Sequence, residues 1–188
     1  MSKDNKLGIT DENELAKKEE ELAKKKCVEL FEKGMLNKFK AGSSDALIKI
    51  HKYIFDEIYA YAGKLDSRGT AKAELDKISK MPQKNTDELI AKFMAVSTIQ
   101  PFESGNGRAA RIWLDVITRK EFNVTIDWSK VDKDVYLDAI KTKNADVLYD
   151  LIQAAMTSET EDREIAVRSI DANFEFSGLD TYRTRVLG

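Results

Sequence analysis

Two prolines, Pro82 and Pro101, and nine glycines are all that interrupt 188 residues, and between them apolar residues recur at three- and four-residue spacing. Proline and glycine are the residues that end helices, and the 3.6-residue period gathers one apolar face, so such a chain folds as helices. The expected fold class is all-α: a compact bundle of about seven helices, with no convincing strand, internal repeat or low-complexity linker. The length suits a single domain spanning 1–188. Its 42% hydrophobic residues are enough to bury about two-thirds of the unfolded surface.

Start signals and stripes place the helices. Thr10 ahead of Asp11, Glu12 and Glu14 reads as a cap, followed by a stripe of Leu15, Leu22, Ala23, Cys27, Leu30 and Phe31 up to Gly34. The Lys/Glu run from Lys17 to Lys26 reads as the solvated face of that helix. Ser43 or Ser44 caps a second helix, with Leu47, Ile50, Ile54, Phe55, Ile58 and Tyr61 on its stripe and Gly63 at its close. His51, inside it, reads as a hydrogen-bonded structural residue. A brief helix over Ala73–Met81 follows, then Asp87–Thr98 capped by Asn85 or Thr86, then a central helix over Arg108–Phe122. Asp127 and Ser129 start another through Val131, Val135, Leu137 and Ile140; Ala145–Met156 and Glu161–Ala172 supply two more.

Charge and cysteine usage exclude whole classes of function. With 31 basic and 33 acidic residues the net charge is -2, which speaks against nucleic acid as a partner. Cys27 is the only cysteine and His51 the only histidine, so neither an internal disulfide nor a multi-thiolate metal site is expected. The N-terminus has no signal-peptide core and no window is apolar enough for a membrane span, so the expected location is cytoplasmic.

The chemistry sits in Ile99-Gln100-Pro101-Phe102-Glu103-Ser104-Gly105-Asn106-Gly107-Arg108-Ala109-Ala110-Arg111. A glycine-rich turn leads straight into a helix there, and its backbone N–H groups together with the helix's unpaired first amides form a cradle for an anion. Gly105 and Gly107 permit the close backbone approach. Arg108 and Arg111 are both within reach of a diphosphate at the helix start. The competing reading is a tight loop whose arginines pair with nearby carboxylates.

This segment resembles the signature of the Fic family, His-Pro-Phe-x-(Asp/Glu)-Gly-Asn-Gly-Arg-x-x-Arg, in Pro101, Phe102, Gly105, Asn106, Gly107, Arg108 and Arg111. The likeness extends over nearly the whole chain: Asn5–Thr10, His51–Gly63, Trp113-Leu114-Asp115, Asp127–Lys130 and Asp162-Arg163-Glu164 are similar to small Fic proteins with a C-terminal inhibitory helix. The resemblance implies an all-α Fic fold and descent from protein adenylyltransferases, which transfer AMP from ATP to a hydroxyl of a target protein. In that family the motif histidine is the base, the acidic residue holds Mg²⁺, the Gly-Asn-Gly turn holds phosphates and the last arginine grips the outer ones. By this likeness Gly105, Asn106, Gly107, Arg108 and Arg111 are the nucleotide-binding residues, and 160–188 corresponds to the inhibitory helix and tail.

Four departures from the pattern bear on function. Gln100 stands at the family histidine, and a carboxamide cannot accept a proton near neutral pH. Ser104 stands at the acidic metal position, a neutral hydroxyl with little hold on Mg²⁺, and Glu103 is one place too early. Lys64–Glu74 is shorter than the family segment that forms a β-hairpin flap, so docking of a target by strand pairing is lost on this length. The inhibitory motif Ser-x-x-x-Glu-Gly aligns with Asn173–Gly178 and its glutamate has become Ser177, which would leave Arg111 unclamped.

A lost base costs about 10²- to 10⁴-fold in rate and a lost metal several kcal/mol more. The expectation is therefore a pseudoenzyme: a binding or regulatory module that retains a nucleotide cradle for ATP without a held Mg²⁺, partnered by a target protein, an active relative or its antitoxin. The alternative is an active transferase moving a nucleotidyl or other phosphate-containing group to a target hydroxyl, for which loose phosphoryl transfer needs positioning more than a base. A third reading is a homo-oligomerisation domain using apolar positions of the terminal helices.

Overall fold

A computed structural model describes residues 5–67 and 69–184. Of the N-terminal stretch read above as lacking a leader, residues 1–4 lie outside the described residues, as does Arg68 within the shortened flap segment. Among the described residues the chain forms α1 (Glu12–Glu32), α2 (Ser44–Phe55), α3 (Ala71–Ser79), α4 (Thr86–Ile99), α5 (Asn106–Phe122), α6 (Lys133–Thr142), α7 (Ala145–Ala155) and α8 (Arg163–Glu175), with two short 3₁₀ turns at Met35–Lys38 and Trp128–Lys130. The all-α expectation holds, with one addition: β1 (Thr125–Ile126) pairs antiparallel with β2 (Met156–Thr157), Thr125 opposite Thr157. A pair this short carries no alternating pattern to read.

Helix starts follow side-chain caps that accept from the first turn's amides. Asp11, Ser43, Asn85, Asp132, Asn144 and Asp162 cap α1, α2, α4, α6, α7 and α8 in this way. Asp11 rather than Thr10 therefore starts α1. α2 ends at Phe55, short of Gly63, and the chain continues in turns. The single helix expected from Asp127 is instead a 3₁₀ turn followed by α6, which resets the helical phase. Val135 and Leu137, through which that helix is read, are exposed at 44% and 38%, while Tyr136 and Ala139 are buried.

α5 runs through the middle, packed on α2, α4 and α8, with Ala109, Ala110, Trp113, Leu114, Val116 and Ile117 all buried. The Trp113 indole donates to the Ser43 carbonyl at 2.9 Å, which fixes α5 against the start of α2. α1 lies across α2 and α8. Its Lys/Glu run is not wholly solvated as expected: Glu19, Glu20 and Lys24 are buried. Lys24 bridges Glu20 at 2.8 Å and Asp171 at 3.0 Å. The chain after α8 folds back over this cluster, with the Thr181 and Tyr182 amides donating to Glu20 at 3.0 Å. Burial opposes the Glu20 charge, yet these donors and Lys24 hold its pKa below the usual carboxylate value. Among the described residues, no helix is long and apolar enough to cross a membrane.

Candidate functional site

The loop between α4 and α5 is tied at several points. Gln100 ends α4 in the left-handed region (φ 43°, ψ 70°), a conformation that a non-glycine residue adopts only at a cost. The Asn106 side chain then closes the loop on itself: its Oδ1 accepts from the Phe102 amide at 2.9 Å and its Nδ2 donates to the Phe102 carbonyl at 2.8 Å. From outside, the Asp66 amide donates to the Pro101 carbonyl at 2.9 Å. Gly105 stands at the N-cap of α5 with φ 77°, where a Cβ would come within 2.6 Å of the Phe55 ring.

No side chain caps α5. Its first intrahelical bond runs from the Ala109 amide to the Gly105 carbonyl, so the amides of Asn106, Gly107 and Arg108 carry the positive end of the helix without an intrahelical acceptor. Ser104, Gly105, Asn106, Gly107 and Arg108 line a cavity of about 290 Å³, completed by Ala16 and Glu19 of α1 and by Ser177 and Leu179 beyond α8. That places it at the lower edge of ligand-sized clefts, which run from about 300 Å³.

The two motif arginines part company. Arg108 is buried, its guanidinium over the rings of Phe55 (4.7 Å) and Phe174 (5.2 Å). Its NH1 sits 2.6 Å from Glu19 Oε1, an ion pair in which NH1 finds no well-aligned hydrogen-bond acceptor. The Tyr59 hydroxyl donates to the other Glu19 oxygen. Arg111 turns instead into the seam between α5 and α8. Its Nε donates to Asn173 Oδ1 at 2.6 Å, one terminal nitrogen to the Asn173 carbonyl at 2.8 Å and the other to the Tyr136 hydroxyl at 3.2 Å. The expectation that Arg111 is left unclamped by the change at Ser177 is overturned, because Asn173, one helical turn earlier, takes the guanidinium. Asn173 also donates to the Arg108 carbonyl at 3.2 Å.

Sequence reasoning missed Glu19. The signal was present: Leu15, Glu19, Ala23 and Cys27 are spaced by four residues, so Glu19 falls on the apolar stripe, and all four are buried.

His51, buried at the back of the loop, shares its nitrogens between two strands of chain: Nε2 meets the Ser104 carbonyl at 2.8 Å, and Nδ1 accepts from the Gly63 amide at 2.9 Å. An acceptor at one nitrogen and a donor at the other define the tautomer with the proton on Nε2. Burial pulls its pKa down to about 4. The structural reading of His51 is supported, and the site gains no base from it. At the family's metal position stands Ser104, whose side chain offers a neutral hydroxyl. Among the described residues no group of three or more His, Cys, Asp or Glu side chains could hold a metal ion. A neutral hydroxyl is a weak ligand for a hard cation that prefers carboxylate oxygens.

No family model matches the chain. Among curated proteins it is similar to the protein adenylyltransferase VbhT of Bartonella schoenbuchensis, at 26% identity over 189 aligned positions covering 87% of this chain and 39% of that protein. The chain thus spans about two-fifths of the length of that curated relative. Among solved structures it is similar to the BepC protein of Bartonella tribocorum with bound AMPPNP (TM-score 0.67, 19% identity, 84% of this chain and 93% of that one). It is likewise similar to the N-terminal Fic domain of an effector from Bartonella quintana with bound ADP (TM-score 0.69, 16% identity, 86% and 92%). The type IV secretion effector BepA matches at TM-score 0.70 and 16% identity, over 98% of this chain and 72% of that one.

Proposed function

Since the chain is a Fic-fold domain, we propose that it is a nucleotide-binding protein of the adenylyltransferase lineage in which group transfer has lapsed, one domain over 1–188 working in the cytoplasm on a partner protein. The observation that carries this reading is a cavity lined by the glycine-rich turn, with the wrong neighbours for transfer. Gly105, Asn106, Gly107 and Arg108 line one cavity, while the flanking family positions hold a carboxamide, Gln100, and a hydroxyl, Ser104.

A bound nucleotide would lie with its phosphates at the amides of Asn106, Gly107 and Arg108, and with its remainder toward Ser177 and Leu179. Arg108 neutralises phosphate charge in this reading, and Glu19 competes with the ligand for it. Arg111 supports the cradle from behind through Asn173 rather than touching the ligand. The AMPPNP and ADP complexes of the similar structures support a nucleotide as ligand.

Calorimetry with ATP and with ADP, each with and without Mg²⁺, tests the binding half; measurable affinity with little dependence on Mg²⁺ is expected. Incubation with labelled ATP, Mg²⁺ and lysate tests the other half, and label on any protein, this one included, refutes it. The name of the curated relative favours a transferase. Gln100→His with Ser104→Glu would restore labelling if only those two groups separate the chain from that activity.

A further inference from the structure

We infer that His51 is the positioning residue of the cradle: by donating its Nε2 proton to the Ser104 carbonyl it turns the Ser104–Gly105 peptide so that the Gly105 amide faces the cavity. This rests on the proposed reading of the loop as an anion cradle. In a trans peptide the C=O and N–H point to opposite sides of one plane. A carbonyl drawn 2.8 Å from a buried imidazole therefore sends the N–H that shares its plane away from the protein interior. Gly105 and Ser104 both line the open cavity.

The imidazole cannot drift. Its Nδ1 is held by the Gly63 amide at 2.9 Å, its ring stacks on Phe102 of the same loop at 3.8 Å and 16°, and Phe55 lies against it at 4.9 Å. Phe55 in turn occupies the space a Cβ at Gly105 would need, so two residues of α2 set the backbone on either side of one peptide bond. His51 touches neither ligand nor cavity. It acts through Ser104, which separates this role from that of the lining residues.

The test is pyrophosphate and ADP titration by calorimetry on the full chain and on His51→Gln and His51→Leu, each with its thermal midpoint. Gln keeps an N–H donor within reach of the Ser104 carbonyl, whereas Leu fills the space without one. Expected is a loss of about tenfold or more in pyrophosphate affinity for the Leu variant and recovery to within about threefold for Gln, even if both lower the melting midpoint alike. Binding by folded His51→Leu as tight as the unsubstituted chain overturns the positioning role alone. Absence of binding by the unsubstituted chain overturns it together with the cradle. If the Leu variant does not fold, the imidazole ¹H–¹⁵N signals of the unsubstituted chain decide. An Nε2 proton that shifts with the Gly105 amide on pyrophosphate addition supports the role, and an Nδ1 proton or a ring indifferent to bound pyrophosphate refutes it.

Discussion

Burial holds the His51 imidazole neutral, with a pKa of about 4 against 6.5 for an exposed histidine. Between those two values the unfolded chain binds a proton that the folded chain refuses, so stability falls as pH falls through this window and is fully present only above about 6.5. The cost is worked from the two values. At pH 7.5 the term is below about 0.1 kcal/mol, at pH 5 it reaches about 2 kcal/mol, and below pH 4 it levels near 3 kcal/mol. Protonation has a geometric meaning as well: a proton on Nδ1 faces the Gly63 amide, donor against donor. Urea denaturation at pH 7.5 and at pH 5, on the unsubstituted chain and on His51→Gln, isolates the term. Carboxylates with lowered pKa, such as Glu20 and Asp127, contribute to both proteins and cancel in the difference. The unsubstituted chain should lose about 2 kcal/mol more than the variant over that interval. Equal losses would refute the buried, neutral imidazole.

Three other perturbations are as direct. Glu19→Gln removes the carboxylate 2.6 Å from Arg108 and should tighten pyrophosphate binding by about tenfold, read by calorimetry; unchanged affinity would show that the ion pair does not compete with ligand. Asn173→Ala removes the Oδ1 that accepts from the buried Arg111 Nε at 2.6 Å and the Nδ2 that donates to the Arg108 carbonyl, and should cost about 2–3 kcal/mol in urea denaturation. Lys24→Met leaves Glu20 and Asp171 without their shared cation at a buried site, at a cost of about 3–5 kcal/mol. Release of the 181–184 segment should accompany it, seen as faster proteolytic loss of the C-terminus.

Much of this architecture could be read in the residues themselves. The caps at Ser43 and Asn85 are short-range chemistry, a side-chain oxygen meeting an amide in the next turn, and both stand among the caps read from the sequence. The turn leading into α5 was legible for the same reason, since its glycines and the start of the helix are contiguous. What escaped depends on partners far along the chain. Glu20 and Lys24 look like a solvated charge run until Asp171 and the tail arrive from the far end of the chain to cover them. Arg111 shares a motif with Arg108 but answers to Asn173, and no local spacing announces that choice. The start of α6 was misplaced because a 3₁₀ turn at Trp128–Lys130 comes between Asp127 and the helix.

Asn173 has a practical consequence for anyone shortening the protein. It is the acceptor that lets a guanidinium lie 3% exposed against the rings of Trp128, Tyr136 and Phe176. A fragment cut before α8 would remove both Asn173 oxygens and leave the guanidinium with the Tyr136 hydroxyl as its one remaining acceptor of those described. Such a fragment should be unsound at its centre rather than merely frayed at its edge, so α8 belongs inside any minimal version of this domain.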